Sequence, residues 1–260
     1  MNFTVDGKQV FAYNAAHEVD PARPTIVFLH GAGLDHSWFG LQSRYFGYHG
    51  RNVLALDLPG HGRSEGPPLA SVAEAADWVA RLLDMLGLGK AALIGHSMGA
   101  LIALECAARH PVRVERIALV GVAFPMKVSE AFLEAARNNE QGAFDMETIW
   151  GHAPQVPLGG NPNPGMWMYG DTLARLARLA PGVLYIDLKA CIDYAAGLES
   201  ARSVKCPALF VLGRRDAMTP PEAAAPLAQA LAGSRTVLIG SSGHSLMAEA
   251  PDAVLDALIE

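Results

Sequence analysis

The 260-residue chain has only three cysteines, Cys106, Cys191 and Cys206, widely spaced and without a CxxC pair. That excludes a disulfide framework and a zinc ribbon, and it fits a reducing compartment. There is no run of lysine and arginine either. Twenty basic residues stand against 26 acidic ones, a formal net charge of -6, which excludes a nucleic-acid binder. A long clean apolar run is also missing. The most apolar stretch, residues 91–108, is interrupted by His96, Ser97, Glu105 and two glycines, whereas a membrane span needs ~20 uninterrupted residues. The N-terminus, MNFTVDGKQVFAYNAA, alternates polar and apolar residues and lacks the apolar block of a signal peptide. A soluble, cytoplasmic protein is expected, with no membrane partner. His17, His49, His110 and His152 show no metal-ligand spacing such as HExxH. Gly87-Leu-Gly-Lys90 lacks the upstream glycine of a phosphate-binding loop and is followed by Ala91 instead of Ser or Thr. No metal and no cofactor are expected.

What is present is apolar: 51% of residues are hydrophobic and 18% charged, enough to bury a large core. Short β-rich runs alternate with helical patterns, the order of a mostly parallel sheet wrapped by helices. Phe3–Val5 and Gln9–Tyr13 flank the hairpin turn Asp6-Gly7. Thr25–Leu29 and Asn52–Leu56 are continuous apolar runs, as expected for strands covered on both faces. Ser71 and Glu74 form a capping box opening a helix to about Leu86. The strand Ala91–Ile94, a helix Met98–Arg109 and the strand Ile117–Val120 follow. After a gap come the strand Cys206–Leu212, a helix near Pro221–Ala232, the strand Thr236–Ile239 and a last helix from Ser245. The rhythm breaks between about Ala123 and Ser203. There the pattern is helical (Val128–Asn138, Thr172–Leu179, Val183–Ala195), with a loop rich in Pro and Gly over His152–Gly165. Residues 123–203 read as a helical insertion between two strands of one sheet.

The sharpest local signal is Gly95-His96-Ser97-Met98-Gly99, directly between a strand and a helix. A strand that turns at once into a helix strains the residue at its apex. The residues two positions away must lack side chains so that strand and helix can approach. The apical serine then projects at a helix N-terminus, where partial positive charge favours a developing anion. Serine is a weak nucleophile and needs a base, itself oriented by an acid. Such groups belong on loops at the carboxyl ends of other strands. Asp216 follows the strand Cys206–Leu212, and His244 follows Thr236–Ile239. With nine histidines in the chain, one past a strand is expected by chance. The joint order Ser, Asp, His, each after its own strand, singles out His244. In His30-Gly-Ala-Gly33 the glycines let the Ala32 N–H point above the serine, where with the Met98 N–H it would make a two-donor oxyanion hole.

With these residues in view, the chain resembles the α/β-hydrolase superfamily. Asp57-Leu-Pro-Gly-His-Gly-Arg-Ser64, after the fourth strand, is a motif frequent in that family. The resemblance implies an eight-stranded, mostly parallel sheet with helices on both faces. It implies a core of residues 1–122 and 204–260 and a helical cap over residues 123–203. It implies Ser97 as nucleophile, Asp216 as acid, His244 as base, and Ala32 and Met98 as oxyanion donors. The expected activity is hydrolysis of a small, largely apolar ester through an acyl-enzyme. Carbon–carbon bond hydrolases and lactonases share the triad, and a small-ligand receptor of the same fold stays open. The serine argues against haloalkane dehalogenases and epoxide hydrolases, which need a carboxylate at that position.

Trp38, Phe124, Met126, Trp150, Trp167, Met218 and Leu246 are candidate pocket residues, because aromatics and adaptable methionines dominate pocket walls. Met166, Met168 and Tyr169 extend the same apolar group. His61, Arg63 and Ser64 read as fastenings of the loop after the fourth strand. His30 reads as a backbone partner, and Cys106 as a core residue. Asp187, Cys191 and Tyr194 share one helix face and read as a packing face.

Overall fold

The computed structural model describes residues 1–159 and 165–259. Eight strands form one sheet. They are β1 (Asn2–Val5), β2 (Lys8–Tyr13), β3 (Thr25–Leu29), β4 (Asn52–Leu56), β5 (Ala91–His96), β6 (Val114–Val120), β7 (Ala208–Gly213) and β8 (Arg235–Ile239). Their order is β1-β2-β4-β3-β5-β6-β7-β8. β1–β2 and β2–β4 pair antiparallel, and every other neighbouring pair is parallel. The chain is therefore the expected α/β protein with a mostly parallel sheet.

The helices are α1 (Gly40–Tyr48), α2 (Val72–Met85), α3 (Met98–Arg109), α4 (Glu130–Arg137), α5 (Gln141–Trp150), α6 (Met168–Leu176), α7 (Val183–Asp193), α8 (Gly197–Ser203), α9 (Pro221–Ala230), α10 (Leu246–Glu249) and α11 (Pro251–Ile259). Alternation along each strand sends its residues to two separate cores. From β3, Val27 and Leu29 join the face covered by α2, α3, α8 and α9, while Ile26 and Phe28 join the face covered by α1, α10 and α11. That explains the unbroken apolar composition of β3 and β4, all of whose residues are buried.

Among the described residues no strand lies between β6 and β7, where α4 to α8 follow one another. The expected loop over His152–Gly165 falls partly on residues 160–164, outside the described residues. Three helices were not expected from the sequence. α1, α5 and α8 open on Gly40, Gln141-Gly142 and Gly197, and none has a side-chain cap. The last helix is two: a non-helical Ala250 precedes Pro251, which cannot donate a backbone hydrogen bond to a continuing turn. None of the described helices is long and apolar enough to cross a membrane.

Candidate active site

Ser97 sits at φ 52, ψ -114, between β5 and α3, a left-handed conformation that an L-residue adopts only under constraint. The constraint is the crossing of strand and helix. A Cβ at Gly95 would lie 2.0 Å from the Gly99 carbonyl oxygen, and one at Gly99 would lie 2.1 Å from that of Leu29. The Ser97 amide donates to Val120 O at 2.9 Å, stitching the turn to β6.

Beyond β7 and β8, Asp216 and His244 come together. His244 Nδ1 donates to Asp216 Oδ2 at 2.7 Å, and both side chains are buried. The two loops meet because Gly213 presses on the β8 loop, where a Cβ would stand 2.3 Å from Gly243 O. Asp216 is held from every side. Its Oδ1 accepts from the Met218 amide (2.9 Å) and the Thr219 amide (2.7 Å), and its Oδ2 from Thr219 Oγ1 (2.7 Å). Thr219 Oγ1 also lies 3.0 Å from His244 Nδ1. Burial by itself would lower the His244 pKa, but the Asp216 charge and hydrogen bond outweigh it and hold it above 6.5.

The backbone around His244 is fastened at three points. His244 O accepts from His96 Nε2 (2.9 Å), the Gly243 amide donates to Glu249 Oε2 (2.9 Å), and the Ser245 amide donates to Gly151 O at the end of α5 (2.8 Å). Glu249 Oε2 also accepts from the Ala153 amide (3.2 Å). His96 takes the Trp38 indole N–H on Nδ1 (3.1 Å). Burial, then the neighbouring His244 charge, pushes its pKa well below 6.5 and keeps it neutral.

On the other side of Ser97 runs the turn after β3. Gly31 is required there, since a Cβ would lie 2.9 Å from His96 Nδ1 and 3.3 Å from Ser97 Cβ. Met98 opens α3, so its amide has no acceptor one turn earlier in the helix. The next amide after Ala32, that of Gly33, donates to Asp187 Oδ2 on α7 (2.8 Å). The same oxygen accepts from His61 Nε2 (2.8 Å), and both side chains are only 2% exposed. His61 fastens its own loop as expected, Nδ1 donating to Pro59 O (3.0 Å), and its other nitrogen also bridges to α7, where Asp187 is a hydrogen-bonding anchor instead of a packing residue. Asp57 and Ser64 tie that loop: Asp57 Oδ2 accepts from the Arg63 amide, and Ser64 Oγ donates to Asp57 O. His30 donates from Nδ1 to Gly31 O and accepts the Leu58 amide on Nε2. Burial, then the neighbouring His61, lowers its pKa to about 4.

The His61–Asp187 contact yields a stability prediction. Burial alone would lower the His61 pKa, but Asp187 raises it above 6.5. A group raised in the folded state contributes stability fully below its unfolded pKa and loses it as pH rises through the folded value. Asp187→Asn strands a buried cation and is expected to cost about 3–5 kcal/mol near pH 6. Thermal unfolding of both proteins should show this gap narrowing towards pH 9; a pH-independent gap would contradict it.

Ser97 and His244 open onto one cavity of about 210 Å³, with Ala32, Met126, Trp150 and Met218 among its walls. The other expected pocket residues lie elsewhere. Trp38 spends its indole N–H on His96 behind the serine turn. Phe124 fills the gap at Gly197, where a Cβ would lie 2.4 Å from its ring, and meets Tyr194 edge-on. Leu246 is fully buried in the core on the α1 and α11 side. Trp167 is 75% exposed and stacks over Gly170 instead. The sequence reading missed Glu147, Leu188 and Cys191 in the cavity wall, and Thr219 beside the acid. A second cavity, about 240 Å³, lies at the opposite ends of the strands near Ile26, Ala92 and Glu115 and touches none of these groups.

Among the described residues, Asp35, His36 and Asp57 are close enough to hold a metal ion. Their ligand atoms are already engaged. His36 Nδ1 donates to Asp57 Oδ1 (2.7 Å), and Asp35 Oδ1 accepts from Arg175 (3.0 Å) and from Ser37.

The model of the alpha/beta hydrolase family matches residues 26–257. Over 239 residues the chain is 27% identical to (E)-2-((N-methylformamido)methylene)succinate hydrolase of Acinetobacter baylyi, covering 90% of this chain and 88% of that protein. It is 32% identical over 200 residues to a pimeloyl-[acyl-carrier protein] methyl ester esterase of Neisseria meningitidis, 74% of this chain and 75% of the relative. Among solved structures, the enol-lactonase from Burkholderia xenovorans LB400 superposes with a TM-score of 0.86 at 26% identity, over 100% of this chain and 98% of the other.

Proposed function

Since the chain belongs to the alpha/beta hydrolase family, we propose that it is a serine hydrolase cleaving a small, largely apolar carboxylic ester through an acyl-enzyme. The observation that carries the reading is one cavity bordered by both Ser97 and His244, with His244 held on Asp216 at 2.7 Å.

Ser97 Oγ attacks the ester carbonyl carbon while its proton passes to His244 Nε2. Asp216, accepting from Nδ1, orients the ring and stabilises the imidazolium. The carbonyl oxygen, now an anion, accepts from the Ala32 and Met98 amides. Collapse breaks the carbonyl–alkoxy bond, and the alcohol leaves with the proton from His244. Water then attacks the acyl–Ser97 ester, its proton moves to His244 and on to Ser97, and the acid departs. One ester and one water give one acid and one alcohol. A lactone contains the same bond closed into a ring, so an enol-lactonase among the structural neighbours fits this scheme. Carbon–carbon bond cleavage with the same triad is the second reading. It would have His244 protonate a departing carbon, and a relative named as a hydrolase of 2-hydroxymuconate semialdehyde keeps it in view.

We further infer that residues 123–203 act as a cap, since α4, α5 and α7 supply Phe132, Glu147, Trp150 and Leu188 to the cavity wall. The partner is a small molecule. Cys106 and Cys191 are buried and unpaired, and Cys206 is half-buried and unpaired; free thiols of this kind suit the cytoplasm.

Incubation with a fluorophosphonate tests the proposal. One equivalent should attach to Ser97 by peptide mass spectrometry, in parallel with loss of turnover on short-chain nitrophenyl esters. Labelling elsewhere, or turnover that survives full labelling of Ser97, would overturn it.

A further inference from the structure

One group in the cavity wall takes no part in those steps. Glu147, on α5, is 8% exposed, and its Oε2 is buried without a hydrogen-bond partner among the described residues. The walls around it are apolar, built from Met126, Phe132, Trp150, Leu188 and Met218. Leaving a carboxyl unpaired in such surroundings costs stability, and native chains retain few such groups outside functional sites. Three titratable groups bear on it from other elements: His244 from the β8 loop, and Asp187 and Cys191 from α7. Lys127, exposed before α4, lines the same cavity. Burial pushes the Glu147 carboxyl up to about 7, with the His244 charge opposing and Asp187 adding.

We propose that Glu147 is a specificity-determining residue that receives a hydroxyl group of the substrate, so that the preferred substrate is a hydroxy ester or hydroxy lactone. This rests on the ester-hydrolase reading and narrows it. The choice of hydroxyl follows from the surroundings. A hydroxyl both donates and accepts, so it satisfies the carboxyl whether protonated or ionised. An ammonium would sit across the cavity from His244, whose imidazolium forms in both halves of the reaction. A carboxylate would meet the Glu147 carboxyl, on which the Asp187 charge already bears, in a chain at net charge -6.

The test compares matched probes with and without the hydroxyl, on each side of the ester. Nitrophenyl 3-hydroxybutyrate is set against nitrophenyl butyrate, and 2-hydroxyethyl butyrate against ethyl butyrate. In the wild type at least one pair should favour the hydroxylated member in kcat/KM by about 10- to 100-fold. In Glu147→Leu that ratio should fall towards one. Glu147→Gln should keep part of it, because a carboxamide still donates and accepts. Glu147→Leu should also unfold at a higher temperature, since it removes a buried group with no partner, which separates lost selectivity from lost folding. Ratios equal in wild type and Glu147→Leu for both pairs would overturn the proposal. So would a larger Glu147-dependent preference for nitrophenyl 3-aminopropanoate or for a nitrophenyl hemisuccinate. Where no probe is turned over, binding replaces turnover as the readout. Affinities for methyl 3-hydroxybutyrate and 2-hydroxyethyl butyrate, each against its unsubstituted ester, are measured in Ser97→Ala and in Ser97→Ala/Glu147→Leu. A hydroxyl preference that is lost with Glu147 supports the proposal, and equal affinities in the two variants overturn it. Absence of Ser97-dependent turnover of every probe would instead remove the hydrolase reading.

Discussion

Ser97→Ala is expected to lower kcat on the best ester by roughly 10⁶-fold, leaving about 10³–10⁴ over water from the amide donors and binding. The loss is this large because the serine supplies the only bond to the acyl group in the first half of the reaction. Without it, water would have to attack from the alanine side, with no intermediate to divide the barrier. The substitution is clean structurally. Alanine at φ 52 is no better suited to that conformation than serine, and Ser97 makes no side-chain cap, so the strain and the fold carry over. Thermal midpoint and circular dichroism should match the wild type while kcat collapses. A variant retaining a tenth of wild-type kcat would show that the chemistry does not pass through this hydroxyl.

Asp216→Asn is the second large effect, roughly 10⁴-fold in kcat. The carboxylate accepts from four donors: two amides, the Thr219 hydroxyl and the imidazole. An asparagine can turn only one acceptor oxygen towards them. If that oxygen keeps the amides, its NH2 faces His244 Nδ1 and drives the proton to Nε2, the nitrogen that must stay free to take the serine proton. The pH profile should change with it. His244 works as a base when neutral, so wild-type kcat/KM should rise with pH along a limb lying above 6.5, where the Asp216 charge holds its pKa. Removing that charge leaves burial as the main influence, and the limb should move to lower pH. A limb that stays in place would mean that Asp216 does not govern His244.

All eight strands could be read from the sequence because each combines β-branched or aliphatic composition with glycine or proline at its ends. The serine turn could be read because Gly95 and Gly99 are steric requirements of a crossing, legible in one dimension. Asp216 and His244 drew attention by standing a few residues past strands. What escaped had no such local signature. Glu147 sits on a helix that opens with Gln141-Gly142 and has no cap, so nothing announced the helix, and hence nothing announced that its face turns inward. Thr219 matters through its hydroxyl between Asp216 and His244, two residues 28 positions apart. Trp38, Phe124, Trp167 and Leu246 were apolar enough for a pocket, but composition does not say which void an aromatic ring fills. His61 and Asp187 lie 126 positions apart, and only the fold makes them neighbours.

The hydrogen bond from the Ser245 amide to Gly151 O has a practical consequence. The residue after the imidazole is leashed to the end of α5, the helix that also carries Glu147 and Trp150. Anyone swapping this helical segment for that of a cousin, to change what is digested, would cut the leash unless the graft brought a carbonyl to the same spot. Chimeras joined downstream of Ala153 would retain it. Those joined between α4 and α5 would inherit a foreign anchor and a base left to drift.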